Sequence, residues 1–220
     1  MIAFYPRESL LLSLKMGAPL IGGLALLMGG LWGAPVWAQS EDPARVYEAP
    51  SPAKEAAFGS AIAGVGDIDG DGQADLMVGA PHAAVDGTPR AGCVYLLSGA
   101  NGAVLRTVVP PDPQGDGMFG SAVAGVGDVT GDGTPDLAVG AAGDSSNVGR
   151  AYLVDGADQS FLDTLASPNA TADGFFAGSL VPLGDATGDD VPDLLVGAVG
   201  EDRVYLFDGA DGTVHWTQTA

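Results

Sequence analysis

Asp67-Ile-Asp69-Gly-Asp71-Gly-Gln73-Ala-Asp75 places four carboxylates within nine residues, and the rest of the chain is best read outward from it. Oxygen side chains at positions 1, 3, 5 and 9, with a backbone carbonyl from position 7, can converge on one hard cation. Without a cation these carboxylates would repel one another. Gly70 and Gly72 allow the tight turn that brings the oxygens together. The pattern returns as Asp128-Val-Thr130-Gly-Asp132-Gly-Thr134-Pro-Asp136 and as Asp185-Ala-Thr187-Gly-Asp189-Asp-Val191-Pro-Asp193. The candidate ligands are therefore Asp67, Asp69, Asp71, Gln73 and Asp75, then Asp128, Thr130, Asp132, Thr134 and Asp136, and finally Asp185, Thr187, Asp189, Val191 and Asp193. Gln73, Thr134 and Val191 enter at position 7, through the backbone. Asp, Gly and Pro also make ordinary turns. Three copies in register favour a cation over a turn alone.

An EF-hand begins similarly but needs a bidentate Glu at position 12 and helices on both sides. Position 12 here is Val78, Val139 and Val196, and the flanks read as strands. These are hairpin loops that close on the Asp at position 9.

Each loop sits in a larger repeat. Phe58-Gly-Ser-Ala-Ile-Ala-Gly-Val-Gly-Asp67 returns at Phe119 to Asp128 and, altered, at Phe176 to Asp185. After each loop comes an apolar run ending in Gly-Ala: DLMVGAP, DLAVGAA and DLLVGAV. Then follow CVYLLSGANG, RAYLVDGADQ and RVYLFDGADG, with Tyr95, Tyr152 and Tyr205 in register. The connection between these runs shortens from repeat to repeat (82–91, 143–149, 200–202), which predicts a surface loop. AVLRTVVP, SFLDTLAS and TVHWTQTA complete the units. Four short strands per unit of this length predict an all-β fold, a partial β-propeller of three four-stranded antiparallel blades. The apolar runs suit sheets covered on both faces, and the three Phe residues read as core.

The N-terminus reads as an address. Arg7, Glu8 and Lys15 are its only charges before Glu41, Leu20 to Trp32 is apolar, and Val36 and Ala38 fit the −3 and −1 positions of a cleavage site. We expect a signal peptide over 1–38, cleaved after Ala38, in preference to a retained anchor. A linker with one orphan outer strand (39–57) follows, then blades at 58–118, 119–175 and 176–220. The expected location is outside the cytoplasm: secreted, periplasmic or at the cell surface, with no stable membrane insertion after cleavage.

These residues resemble the FG-GAP repeats of the integrin α-subunit N-terminal β-propeller and its bacterial relatives. Phe58-Gly59 and Phe119-Gly120 match the Phe-Gly of the motif, where the third unit has Phe176-Ala177. Gly79-Ala80-Pro81 matches the Gly-Ala-Pro, with Gly140-Ala141-Ala142 and Gly197-Ala198-Val199 in register. The loops are similar to that family's Ca²⁺-binding hairpin loops at positions 1, 5 and 9. Thr130 and Thr187 depart from it at position 3, and Asp190 replaces Gly at position 6. The resemblance implies Ca²⁺, up to three ions with one per blade, and recognition of an extracellular protein or glycan.

Composition narrows the choice further. A net charge of −20 excludes a phosphate-tracking nucleic-acid binder and favours cations. One Cys rules out an internal disulfide. Cys93 aligns with Arg150 and Arg203 and reads as a free, buried or half-buried thiol. His82 and His215 lie in different units without partners, and no G-x-S-x-G occurs, so no enzyme is expected. Trp216 reads as packing. The expected function is an adhesion-like, calcium-binding interaction module. The alternative is a carbohydrate-binding propeller, free or as an accessory region of a secreted hydrolase, but the variable loops carry no aromatic residue. Ala44 to Pro50 has no partner blade in the chain, so the propeller is expected to need further blades or self-association to close.

Overall fold

The computed structural model describes residues 56–220; the expected signal peptide and the expected orphan outer strand lie outside the described residues. The described chain is three successive four-stranded antiparallel sheets. The first contains β1 (Ile62–Gly66), β2 (Asp75–Ala80), β3 (Cys93–Leu97) and β4 (Val104–Val108). The second contains β5 (Phe119–Gly127), β6 (Asp136–Ala141), β7 (Arg150–Val154) and β8 (Phe161–Leu165). The third contains β9 (Phe176–Gly184), β10 (Asp193–Ala198), β11 (Arg203–Phe207) and β12 (Val214–Thr219). Each is a plain meander in which sequence neighbours pair. These are three blades of a partial β-propeller.

The repeat seen in sequence is also a repeat in pairing register. Val78 lies opposite Tyr95, Val139 opposite Tyr152 and Val196 opposite Tyr205. Position 12 of each acidic loop is thus a central strand residue, which the EF-hand alternative could not accommodate. Inside each blade the leading Phe meets the Tyr. Ring centroids are 5.6 Å apart for Phe58 and Tyr95, 5.5 Å for Phe119 and Tyr152, and 5.9 Å for Phe176 and Tyr205. Such aromatic pairs add to the stabilisation that comes from burial alone. Phe119 and Phe176 are fully buried.

The Phe and Gly-Ala motifs meet where blades meet. The Phe119 amide donates to the Ala91 carbonyl of the preceding blade at 2.9 Å, and the Phe176 amide to Val148 at 3.0 Å. Immediately beyond, the Gly120 carbonyl lies so close to Gly79 that a Cβ there would stand 2.1 Å from it. Gly140 faces the Ala177 carbonyl with the same closeness, 2.2 Å. Glycine is needed because the next blade's backbone fills the space of a side chain. One core cluster centres on Phe119, Val139 and Val154 between the first two blades. A second, with Phe176, Val196 and Tyr205, spans the second and third.

The connections after the Gly-Ala motif correct one expectation. They are less purely surface loops than their variable length suggests. Asp144 and Glu201 are buried in them and accept hydrogen bonds from Tyr152 and Tyr205. Ala83 and Val85 are buried in the first. Length varies while the residue over the Tyr stays inside, where Glu201 also accepts a hydrogen bond from Ser167. Cys93 is buried, and Trp216 is 42% exposed on the outermost strand, β12.

Candidate metal centre

All three acidic loops join the first two strands of a blade and emerge at the same end of their sheets. Each is organised by its first residue. Asp67 accepts the amides of Gly70 (2.8 Å) and Asp71 (3.1 Å) on Oδ1 and that of Gly72 (2.8 Å) on Oδ2. Asp128 does the same for Gly131, Asp132 and Gly133, and Asp185 for Gly188, Asp189 and Asp190. A carboxylate that accepts several backbone N–H groups is stabilised in its charged form. Asp128 is accordingly held below the usual carboxylate range, chiefly by the Gly133 amide, and Asp185 chiefly by the Gly188 amide.

The fifth residue makes a smaller turn of its own. Asp71 accepts the Gln73 amide at 2.8 Å, Asp132 that of Thr134 at 2.7 Å, and Asp189 that of Val191 at 3.0 Å. Position 6 adopts a left-handed conformation in every loop: φ is +84° at Gly72, +92° at Gly133 and +70° at Asp190. Asp190 therefore carries a side chain where its counterparts are glycine.

Position 3 separates the first loop from the others. Asp69 accepts the Asp71 amide at 3.0 Å and keeps a second oxygen free of the loop backbone. Thr130 instead donates its hydroxyl to Asp128 at 3.3 Å, and Thr187 leans on Asp193 at 3.5 Å. In the first loop Asp67, Asp69 and Asp71 each bring an oxygen within 4.8 Å of the others. Among the described residues no other three acidic, His or Cys side chains converge so closely. Oxygens around one Ca²⁺ lie about 2.3–2.6 Å from it, and so at most about 5 Å apart. The cluster fits a hard cation of that size.

The residue at position 9 stands apart. Asp75, Asp136 and Asp193 are fully buried. Asp75 accepts Ile68 N–H at 2.8 Å and, from the turn after β3, Gly99 N–H at 2.9 Å. Asp136 clasps Val129, Thr130 and Gly156, and Asp193 clasps Ala186, Thr187 and Gly209. This buried bond from the acidic loop to the opposite turn escaped the sequence reading. A signal was present: Gly99, Gly156 and Gly209 each follow the aligned Tyr by four residues. A Cβ at any of them would come within 1.9 Å of the carbonyl of Ala74, Pro135 or Pro192.

The profile of the FG-GAP repeat matches residues 58–97 and 119–154, which run from the leading Phe through the Tyr-bearing third strand of the first two blades. The chain carries FG-GAP repeats. Mouse integrin alpha-2 is 32% identical over 154 residues, covering 66% of this chain, and human integrin alpha-7 is 34% identical over 160 residues, covering 68%. Bovine phosphatidylinositol-glycan-specific phospholipase D is 36% identical over 149 residues, 60% of this chain. The matched part spans 13% of each of those integrins and 17% of the phospholipase. The FG-GAP repeats of this chain are integrin-α-like. Among the described residues no helix is long and apolar enough to cross a membrane.

Proposed function

We propose that this chain is an extracellular, adhesion-like interaction module whose FG-GAP hairpin loops bind Ca²⁺. The observation that carries the reading is the convergence of Asp67, Asp69 and Asp71 on one point at a blade end. Asp67, Asp69, Asp71 and Asp75, with the Gln73 carbonyl, would hold the first ion. Asp128, Thr130, Asp132, Asp136 and the Thr134 carbonyl would hold a second. Asp185, Thr187, Asp189, Asp193 and the Val191 carbonyl would hold a third. The ion would supply positive charge that offsets the mutual repulsion of the carboxylates. Export from the cytoplasm, after cleavage behind Ala38, would place the loops where calcium is abundant. The integrin relatives support the assignment to protein recognition.

The loops differ in ligand charge. The first offers four carboxylates at the ligand positions and the others three, with a Thr at position 3, so the first should bind tightest. A ligand that binds only the folded chain at a hundred times its Kd stabilises by about 2.7 kcal/mol. Thermal unfolding of the chain should shift upward as CaCl₂ is added and return with EDTA. Asp71→Ala should remove more of that shift than Asp189→Ala. A calcium-independent midpoint would refute calcium binding, and the reverse order would refute the ranking.

The carbohydrate-binding reading keeps one observation in its favour, the outward Trp216 on β12. A glycan array probed with and without EDTA separates the two: calcium-dependent glycan binding that Trp216→Ala abolishes would favour it.

A further inference from the structure

The two seams between neighbouring blades follow one plan, yet one is filled from within and the other is open. In the first seam Arg106, on β4, crosses to the next blade and donates to the Ala157 carbonyl at 2.7 Å. Ala157 lies in the turn between β7 and β8. The same guanidinium contributes to holding the neighbouring Asp158 carboxyl low, behind the stronger effects of the Ser160 amide and hydroxyl. Ile68 fills the floor of this seam: it is buried, and its Cδ1 reaches to 3.1 Å from where a Cβ on Gly156 would stand.

The second seam repeats the turn and changes the filling. Asp208-Gly-Ala210-Asp211 corresponds to Asp155-Gly-Ala157-Asp158. The place of Arg106, opposite Leu96, is taken by Asp163, opposite Leu153. The place of Ile68 is taken by Val129, one carbon shorter. A cleft of about 310 Å³ remains, lined by Val129, Leu162, Asp163, Ala210 and Asp211 among others. The Ala210 carbonyl, counterpart of the one that Arg106 caps, accepts no hydrogen bond among the described residues. Leu162 is 40% exposed along one wall. Where the first seam balances one guanidinium against Asp158, the second holds two carboxylates and no cation.

We propose that the open seam binds a basic side chain, an arginine presented by a partner protein. Its aliphatic stem lies along Leu162 and Val129, and its guanidinium meets the Ala210 carbonyl between Asp163 and Asp211, as Arg106 meets Ala157 beside Asp158. Long cationic side chains combine an apolar stem with a charged head in this way. Arginine suits the site better than lysine because its planar head presents several N–H donors at once. The assignment extends the interaction-module reading by naming the chemistry of a partner, and it does not depend on calcium.

The test is an NMR titration of the chain with N-acetyl-arginine-N-methylamide, against the neutral isostere N-acetyl-citrulline-N-methylamide, in calcium and in EDTA. The arginine probe should give saturating shifts at the amides of Ala210, Asp211 and Gly212 below about 10 mM, in both buffers. Citrulline should bind at least about tenfold more weakly, and added salt should weaken the arginine probe. Asp163→Arg rebuilds the filling of the first seam and should abolish the shifts while the circular dichroism spectrum is unchanged. Asp163→Asn, which keeps the shape, should weaken binding several-fold and decides the matter if the first variant does not fold. Equal binding of citrulline, unaltered binding by Asp163→Asn, or no saturation at these amides overturns the proposal. Binding in only one of the two buffers would also overturn it, and would itself indicate that the second acidic loop, whose Thr130 lines the cleft, responds to calcium.

Discussion

β5 and β9 open the second and third blades with matching nine-residue strands, FGSAVAGVG and FAGSLVPLG, yet their burial differs throughout. β5 alternates between buried and half-buried, because one neighbouring blade covers each of its sides. β9 is buried only at Phe176 and Ala177, and beyond them nearly every residue is exposed. Val181 and Leu183 are 47% and 46% exposed. Their counterparts in β5, Ala124 and Val126, are buried in the cluster shared with the third blade. Burial in this fold comes from the neighbouring sheet, and an apolar strand sequence alone does not confer it.

Three measurements would break or sharpen this contrast. The largest effect should come from a charge placed at equivalent sites. Val126→Lys buries an ammonium without a partner and should cost about 4 kcal/mol or more, whereas Leu183→Lys should stay within about 0.5 kcal/mol. Denaturant unfolding of both variants checks this; equal losses would mean that the β9 face is covered in solution. Next come the glycines at the seams. A Cβ on Gly140 would stand 2.2 Å from the Ala177 carbonyl, part of a backbone that cannot retreat, so Gly140→Ala should cost about 3 kcal/mol. On Gly197 the nearest atom is Ser179 Oγ, also at 2.2 Å, and that side chain can rotate away. Gly197→Ala should therefore cost about 1 kcal/mol or less, and the two melting temperatures should separate accordingly. The smallest effect belongs to the acidic loops. Asp190 holds φ +70° where Gly133 holds +92°. Asp190→Gly should stabilise the calcium-free chain by roughly 0.5–1 kcal/mol through relief of the left-handed strain, and a loss of stability would show that the Asp190 side chain contributes to the loop.

Much of the architecture was legible because it rests on local rules. Apolar runs of strand length, Asp-Gly turns and a Tyr recurring in register specify a four-stranded meander without reference to any distant residue. The Asp71 and Asp189 turns are equally local, since the side chain bonds an amide two residues on. The same reading placed position 9 with the other loop acids. The structure shows why that position is distinctive: Asp75 bonds across to Gly99, and Asp136 to Gly156. Those partners lie beyond a connection that varies in length, so their distance from the loop changes from blade to blade and only their constant spacing from the Tyr announces them.

By itself, then, the sequence determined the repeat, the strand order within each blade and the position of the acidic loops, all of which depend on residues a few places apart. Only the tertiary structure decided which faces are covered, why Gly79 and Gly140 admit no side chain, and that Arg106 fills one seam while Asp163 leaves the next open. Those outcomes are set by backbone and side chains of the adjoining blade, brought within van der Waals distance by the stacking of the sheets, and stacking is not written in the local pattern of either sheet.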